Sequence, residues 1–445
     1  MLSKEQRQTN PLNPRVPVLV MNTFKGGVSK TTTTLNIAWD MVQDGKTVLL
    51  VDADPQCNLT QVFLNGSDQQ GVLQRVSRAE KDDESVVNIG ESLDAVISGN
   101  EMIPPRVELI DHHLQMNKLF LLPGHVCISE YEQVVAGAIQ SKQAMLRNSI
   151  VAFDRLVQAS AKDCKADIVL IDTSPSMGTL NFLIVMFSDY LISPCQADYF
   201  SEQAMKTFAK RFPVWLKKRR SIVEEINQPD FKYRLPARPP KFLGAYIQMY
   251  TIQNSRPAQA YQSYIVSITS FIQNGLVAAL DSDEDVKFPA AAYEVYAGFR
   301  PYILATVKNF NRFAPMAQGA GVPLMAFPNH QQYIIDSEGR KLTGSFLDKA
   351  LEDIGKMLYP LQRSVTLILH LMSHRFPHLA PSRMMLEYEE EADYAGAVVA
   401  TARAIGSDTA TAVEQSNVDD AEATIAVARE PEPENGESNK KRKFN

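Results

Sequence analysis

The stretch Val18-Leu19-Val20-Met21-Asn22-Thr23-Phe24-Lys25-Gly26-Gly27-Val28-Ser29-Lys30-Thr31-Thr32 decides how the rest of this chain is read. It holds a short apolar run and a glycine loop ending in Lys-Thr. A helical run to Asp44-Gly45 follows, then a second apolar run that closes on Asp52-Ala53-Asp54-Pro55-Gln56. That order describes a βαβ unit built around a phosphate. Adjacent Gly26 and Gly27 let the backbone curl so that successive N–H groups face inward. The next helix adds its positive end, and Lys30 adds a full charge. Thr31 places a hydroxyl where Mg²⁺ can be ligated. Such a nest suits the β- and γ-phosphates of a nucleotide. Ser29 stands where glycine is usual, and a left-handed serine costs roughly 1 kcal/mol. The competing readings are a glycine turn capping an ordinary helix and, for Asp52 and Asp54, a pair of acids capping the next turn beside Pro55.

Further along, Ala166-Asp167-Ile168-Val169-Leu170-Ile171-Asp172 is an apolar strand ending in an acid, a pattern that can hold a Mg²⁺-bound water opposite Thr31. Residues 31–44 read as a helix with Leu35, Ile37, Ala38, Met41 and Val42 buried and Gly45 as its stop. Residues 47–52, 118–123, 190–194 and 241–250 read as strands. One long helical stretch is expected after Gly124, through Ile150, Phe153 and Leu156. A helix is expected to begin at Asn254-Ser255-Arg256, and a closing helix to cover 347–358. The fold class is α/β, a mainly parallel twisted sheet with helices on both faces.

Lys25-Gly26-Gly27-Val28-Ser29-Lys30-Thr31-Thr32, with its extra lysine opening the loop, resembles the deviant Walker A motif of the ParA/MinD family of P-loop ATPases. Asp52-Ala53-Asp54-Pro55-Gln56 is similar to the DxDPQ form of ParA/Soj proteins. Thr173-Ser174-Pro175-Ser176-Met177-Gly178 resembles the family's DxPPSxG loop, with Ser174 replacing its first proline, and Gln196-Ala197-Asp198-Tyr199-Phe200 its QPEYF-type segment. Lys241–Tyr250 and Val307–Pro323 resemble later family segments, though Phe313 replaces an expected acid.

The resemblance implies a P-loop NTPase sheet of seven or eight strands that takes ATP and Mg²⁺ on residues 25–32. Thr31 would ligate the metal directly, and Asp172 and Asp52 through water. Lys25, Lys30 and Asp54 would be the catalytic groups. Asp54 would position the attacking water, and Lys25 would reach the partner's nucleotide across an ATP-bound homodimer. The implied function is partition or positioning of a plasmid, chromosome region or cargo, with nonspecific DNA and a small ParB-like activator as partners. The alternative is a nucleotide-dependent binding switch that regulates replication or transcription. A membrane-positioning role is disfavoured, because the terminal segment carries no apolar stripe.

The chain's 445 residues, 45% apolar, can bury a large core, and a formal net charge of −6 leaves DNA contact to a local patch. The basic run from Lys206 to Arg220 contains one, with Lys217, Lys218, Arg219, Arg220 and the more distant Arg312 as candidates; a solvated charged face is the plainer alternative. Four scattered cysteines with no CxxC imply a reducing compartment. With no 18-residue apolar run and no secretory core, the expected location is cytoplasmic and nucleoid-associated. Expected boundaries are a flexible arm over 1–15, an ATPase domain over 16–360 with an insertion or lid at 65–117, a helical appendage over 361–394, and a disordered tail over 395–445. Lys440-Lys441-Arg442-Lys443 reads as a nuclear-type signal, a nucleic-acid-binding tail or a solubilising end, and His112-His113 as an exposed pair.

Overall fold

The computed structural model describes residues 15–64, 89–98, 108–109, 118–141, 146–229, 231, 233–250, 252–253, 256–280, 284–296 and 298–382. The His112-His113 pair, the cluster at 440–443 and most of the expected 65–117 insertion lie outside them.

The frame follows from apolar runs too continuous to belong to a half-exposed sheet. Strands β1 (Val18–Met21), β2 (Val48–Ala53) and β5 (Ile168–Thr173) are buried at every position. Both faces must therefore be covered, the condition of a parallel sheet. Between them run α1 (Lys30–Gln43), α2 (Asn58–Leu64), α3 (Ile89–Ile97), β3 (Glu108–Leu109), β4 (Leu119–Leu122), α4 (Ile128–Ser141) and α5 (Arg147–Asp163). After β5 come α6 (Thr179–Phe187), β6 (Tyr190–Gln196), α7 (Tyr199–Ile226) and β7 (Lys241–Tyr250). A small ladder, β8 (Ile252–Gln253) with β9 (Arg256–Pro257), precedes α8 (Gln259–Phe271), β10 (Ile303–Lys308), α9 (Phe313–Ala320) and α10 (Gly344–Ser373).

The sheet order is β10-β7-β6-β1-β5-β2-β4-β3, parallel throughout except for β3 at the edge. Central β1 pairs with β5 on one side and β6 on the other. The helices fall into two groups, α1 against α10 and the series α4 to α7, which is how both faces are closed. Thus β1, β2, β5 and β6 all deliver their following loops to one end of the sheet.

Three expectations change. The single helix expected after Gly124 is two, α4 and α5. Asn254 and Ser255 lie outside the described residues, but Arg256 is not helical: it pairs with Gln253 in the β8–β9 ladder, and α8 begins at Gln259. Pro257 disfavours helical backbone at the residue before it. The boundary expected at 360/361 falls inside α10, which carries Pro360 without breaking. Leu351, Ile354, Leu358, Leu361, Val365, Ile368 and Met372 recur at three- and four-residue steps and are all buried, so one apolar stripe runs through that boundary. The stripe is tied to the sheet by Tyr246 Oη and Ser364 Oγ at 2.6 Å and by Tyr190 Oη donating to the Met372 carbonyl at 3.2 Å. Beyond it, Ser382 N donates to both Asp44 carboxylate oxygens and Lys46 Nζ to the Ala380 carbonyl.

At the other terminus Arg15, assigned by sequence to a flexible arm, is held fast. Its guanidinium takes both carboxylate oxygens of Asp154, at 2.8 and 2.6 Å, and the Phe187 carbonyl at 2.7 Å.

Candidate functional site

The loop between β1 and α1 curls as its glycines require. Gly27 has φ +74° and Ser29 φ +59°, both left-handed. Ser29 therefore holds the conformation expected to be costly for it, at the residue before Lys30. Its side chain makes no capping bond to α1, leaving the first N–H groups of the helix directed at the loop. Val28 is buried and anchors the loop, whereas Gly26 and Gly27 are exposed at its rim.

Inside the curl, Lys30 is 7% exposed and its Nζ lies 2.5 Å from Asp172 Oδ1. Thr31 Oγ1 donates to the other oxygen of the same carboxylate at 2.6 Å. The β1–β5 register sets Met21 beside Asp172, so the loop leaves the sheet next to that acid. Thr32 is half-buried on the first turn, its carbonyl taken by Asn36 Nδ2.

Asp52, one residue before the end of β2, lies beside Asp172 in register and accepts from Thr60 N at 2.8 Å and Thr60 Oγ1 at 2.7 Å. Burial first, and Asp172 second, push its carboxyl up to about 7. Asp54 is 5% exposed and accepts from Gln56 N at 3.0 Å. Burial raises its carboxyl above the ordinary range, against the Gln56 bond and the Lys30 charge. Asp52, Asp54 and Asp172 thus converge at the loop mouth with one buried lysine between them.

Lys25 does something the sequence did not foresee. Its Nζ turns onto its own chain, bonding Gln196 Oε1 at 2.9 Å and pairing with Asp198. Within a single chain the nearest carboxylate captures the ammonium. Asp198 also caps α7 by accepting from Ser201 N at 2.8 Å, and these partners hold its carboxyl below the usual range despite desolvation.

The 173–178 loop is fixed by a residue the motifs did not single out. Asn181 Nδ2 donates to the Ser174 and Ser176 carbonyls at 2.7 and 2.8 Å, and Ser174 Oγ lies 3.1 Å from Ser176 Oγ. Gly178 sits where a Cβ would lie 1.9 Å from Glu132 Oε1, so α4 presses on this loop. Thr60 was likewise missed; besides Asp52 it accepts from Gly124 N at 2.9 Å. Neither lies in a recognisable motif, and only their spatial neighbours reveal them.

The basic candidates divide. Lys217, Lys218, Arg220 and Arg312 are exposed, with Lys218 Nζ 4.8 Å from the centre of the Phe182 ring. Arg219 is not a surface residue. It is 3% exposed, and its guanidinium donates to the Met186, Pro236, Ala237 and Arg238 carbonyls. On the helical period of α7 it falls on the buried face, so it braces the 236–238 segment and is removed from the DNA candidates.

Among the described residues no group of three or more His, Cys, Asp or Glu side chains could hold a metal by itself, and no helix is long and apolar enough to cross a membrane. The donor set at the loop, one hydroxyl beside one carboxylate, fits a hydrated Mg²⁺ completed by phosphate oxygens.

Residues 16–224 match the family described as AAA domain. The chain is 27% identical over 234 residues to an uncharacterised protein of Methanocaldococcus jannaschii, covering 52% of this chain and 73% of that one. It is 26% identical over 188 residues to the sporulation initiation inhibitor protein Soj of Bacillus subtilis, covering 42% of this chain and 61% of Soj. Across the first curated relatives it spans from 48% to 73% of their own length. A crystal structure of a Corynebacterium diphtheriae protein shares the fold, with a TM-score of 0.51 and 22% identity over 70% of this chain and 99% of that one. The curled lysine loop, the acids near the ends of β2 and β5, and these likenesses agree in supporting a P-loop ATPase domain of the ParA/MinD type over residues 16–224.

Proposed function

We propose that this chain is a ParA-type ATPase that acts in partition or positioning of a plasmid, chromosome region or cargo. The observation that carries the reading is the meeting of Lys30, Thr31 and Asp172 inside a loop whose Gly27 and Ser29 are both left-handed. A γ-phosphate entering the nest would compete with Asp172 for the Lys30 ammonium. Residues 25–32 would bind the phosphates through backbone N–H groups and Lys30. Thr31 would hold Mg²⁺ directly, with Asp172 and Asp52 reaching it through water; bound there, the ion neutralises phosphate charge. Asp54, at the same mouth, would orient the attacking water.

Lys25 would exchange its bond to Asp198 for the nucleotide of a second copy when two chains close on ATP, supplying charge in trans. Lys217, Lys218, Arg220 and Arg312 would meet phosphate backbones without reading sequence. A ParB-like activator would accelerate the turnover. Soj, a relative named for inhibiting sporulation initiation, favours as a second reading a switch that controls replication or transcription.

One experiment separates them. Random-sequence duplex is titrated against the protein with ATP, with ADP and without nucleotide, at two salt concentrations, while phosphate release is followed. The partition reading expects ATP-dependent, salt-weakened binding and faster turnover on DNA. Binding indifferent to nucleotide, with turnover indifferent to DNA, removes it. Asp54→Ala should retain ATP and lose turnover by on the order of 10²-fold or more.

A further inference from the structure

The opposite end of the sheet carries a second concentration of positive charge that no part of the proposed ATPase cycle uses. Tyr190 opens β6 and Lys241 opens β7, paired side by side in register, so both mark the amino ends of the strands. The seven residues of β6 put that end about 20 Å from the phosphate loop. A cavity of about 520 Å³ opens there, lined by Tyr190, Arg238, Lys241, Phe288, His374 and Arg375 with a single acid, Asp285. A second cavity of about 310 Å³ shares Arg238 and Asp285 with it.

Three cations come from three separate elements and are set in place rather than waving in solvent. Arg238 stands on the segment that buried Arg219 grips by its carbonyls. Lys241 Nζ lies 4.9 Å from the centre of the Phe288 ring and 3.5 Å from Asp285. Arg375, just past the end of α10, packs its guanidinium 5.4 Å from the Phe376 ring centre. It reaches Asp189 at 3.3 Å, a carboxylate that also accepts from Val18 N and faces Arg15. Arg375 Nη1 is buried with no acceptor among the described residues. Lys241 and Arg375 side chains are only 21% and 20% exposed. The Arg375 guanidinium, half-buried with Nη1 lacking an acceptor, is unfavourable until an anion joins it.

We propose that this amino-end cavity is a binding site for a small organic phosphate bearing at least two phosphoryl groups, held by Arg238, Lys241 and Arg375. The volume lies in the range of small-ligand sites. Its concavity and anchored cations distinguish it from a surface made for duplex DNA, where lysines and arginines project from an open face. Planar guanidinium groups take phosphoryl oxygens two at a time in a fixed fork. A ligand there would touch the segment after α7, the start of β7 and the end of α10 together, so its occupancy couples the final helix to the sheet.

Inorganic pyrophosphate serves as the probe, titrated calorimetrically into the full chain with its phosphate loop saturated by Mg-ADP. Saturable one-to-one binding is expected, weakened at least tenfold in R238Q/K241Q. R375K, which retains the charge, should recover most of the affinity lost in R375A. Mg-ADP affinity of R238Q/K241Q reports whether that variant is folded, and should match the parent. Pyrophosphate binding that vanishes in K30A but survives in R238Q/K241Q overturns the proposal. So does failure of pyrophosphate to bind while random duplex DNA loses affinity in R238Q/K241Q, which makes the cavity part of a nucleic-acid face.

Discussion

The two ends of one sheet handle buried charge in opposite ways. At the carboxyl ends, three acids, Asp52, Asp54 and Asp172, crowd around one buried lysine, and carboxyl groups are pushed upward by desolvation. At the amino ends, Arg15, Arg238, Lys241 and Arg375 exceed Asp154, Asp189 and Asp285, and Arg15 is held permanently charged by Asp154. On the proposed function the first arrangement would be reversed by a ligand, because Lys30 and Thr31 would leave Asp172 for phosphate and metal. The Arg15–Asp154 pair would not be, because both groups are fixed by further hydrogen bonds. The lesson is that a charge cluster near a strand end is structural or functional according to whether its partners are replaceable.

The largest effect should come from Lys30→Ala. Removing charge-assisted phosphate contacts is expected to lower ATP affinity on the order of 100-fold, measured by fluorescent-nucleotide titration. Near-parental affinity would place the nucleotide elsewhere and erase the contrast between the ends. Asp154→Ala should do the converse, costing about 3 kcal/mol in chemical denaturation while ATP affinity stays near parental, because it leaves the half-buried Arg15 without its main partner and Tyr233 Oη without its acceptor at 2.6 Å.

A further effect concerns pH. In the nucleotide-free protein Asp52 resists ionisation up to about pH 7, while the unfolded chain ionises near the ordinary value of 3.8. The folded state therefore binds the extra proton in that window, and stability falls as pH rises from about 4 to 7. Asp52→Asn should flatten that slope in thermal melts; an unchanged slope would mean that another group carries it. Smallest is Ser29→Gly, which relieves a left-handed serine and should stabilise by about 1 kcal/mol. A loss of stability would show that the Ser29 side chain contributes more than its backbone costs.

Much of the carboxyl end was legible beforehand. The loop from Lys25 to Thr32, Asp54 and the Asp172 strand announce themselves through local patterns, since a phosphate nest is built from consecutive residues. The amino end was not legible. Its cavity draws on residues 190, 238, 241, 288, 374 and 375, whose proximity depends on strand order and on where α10 ends. Arg219 shows the same limit: within a basic run it resembles its neighbours, and only the packing of α7 turns it inward.

What the sequence determined by itself was the βαβ unit, the phosphate loop with its strained Ser29, and the parallel strands, because each depends on contiguous residues and their periodicity. The tertiary structure alone decided that Lys25 closes on Asp198, that Thr60 and Asn181 hold the acids and the 173–178 loop, and that α10 is one helix tied to the sheet. The Lys25–Asp198 pair and the ties of α10 join residues far apart along the chain and need β6 and β7 lined up beside β1, whereas Thr60 and Asn181 meet near neighbours through turns whose course the surrounding packing sets.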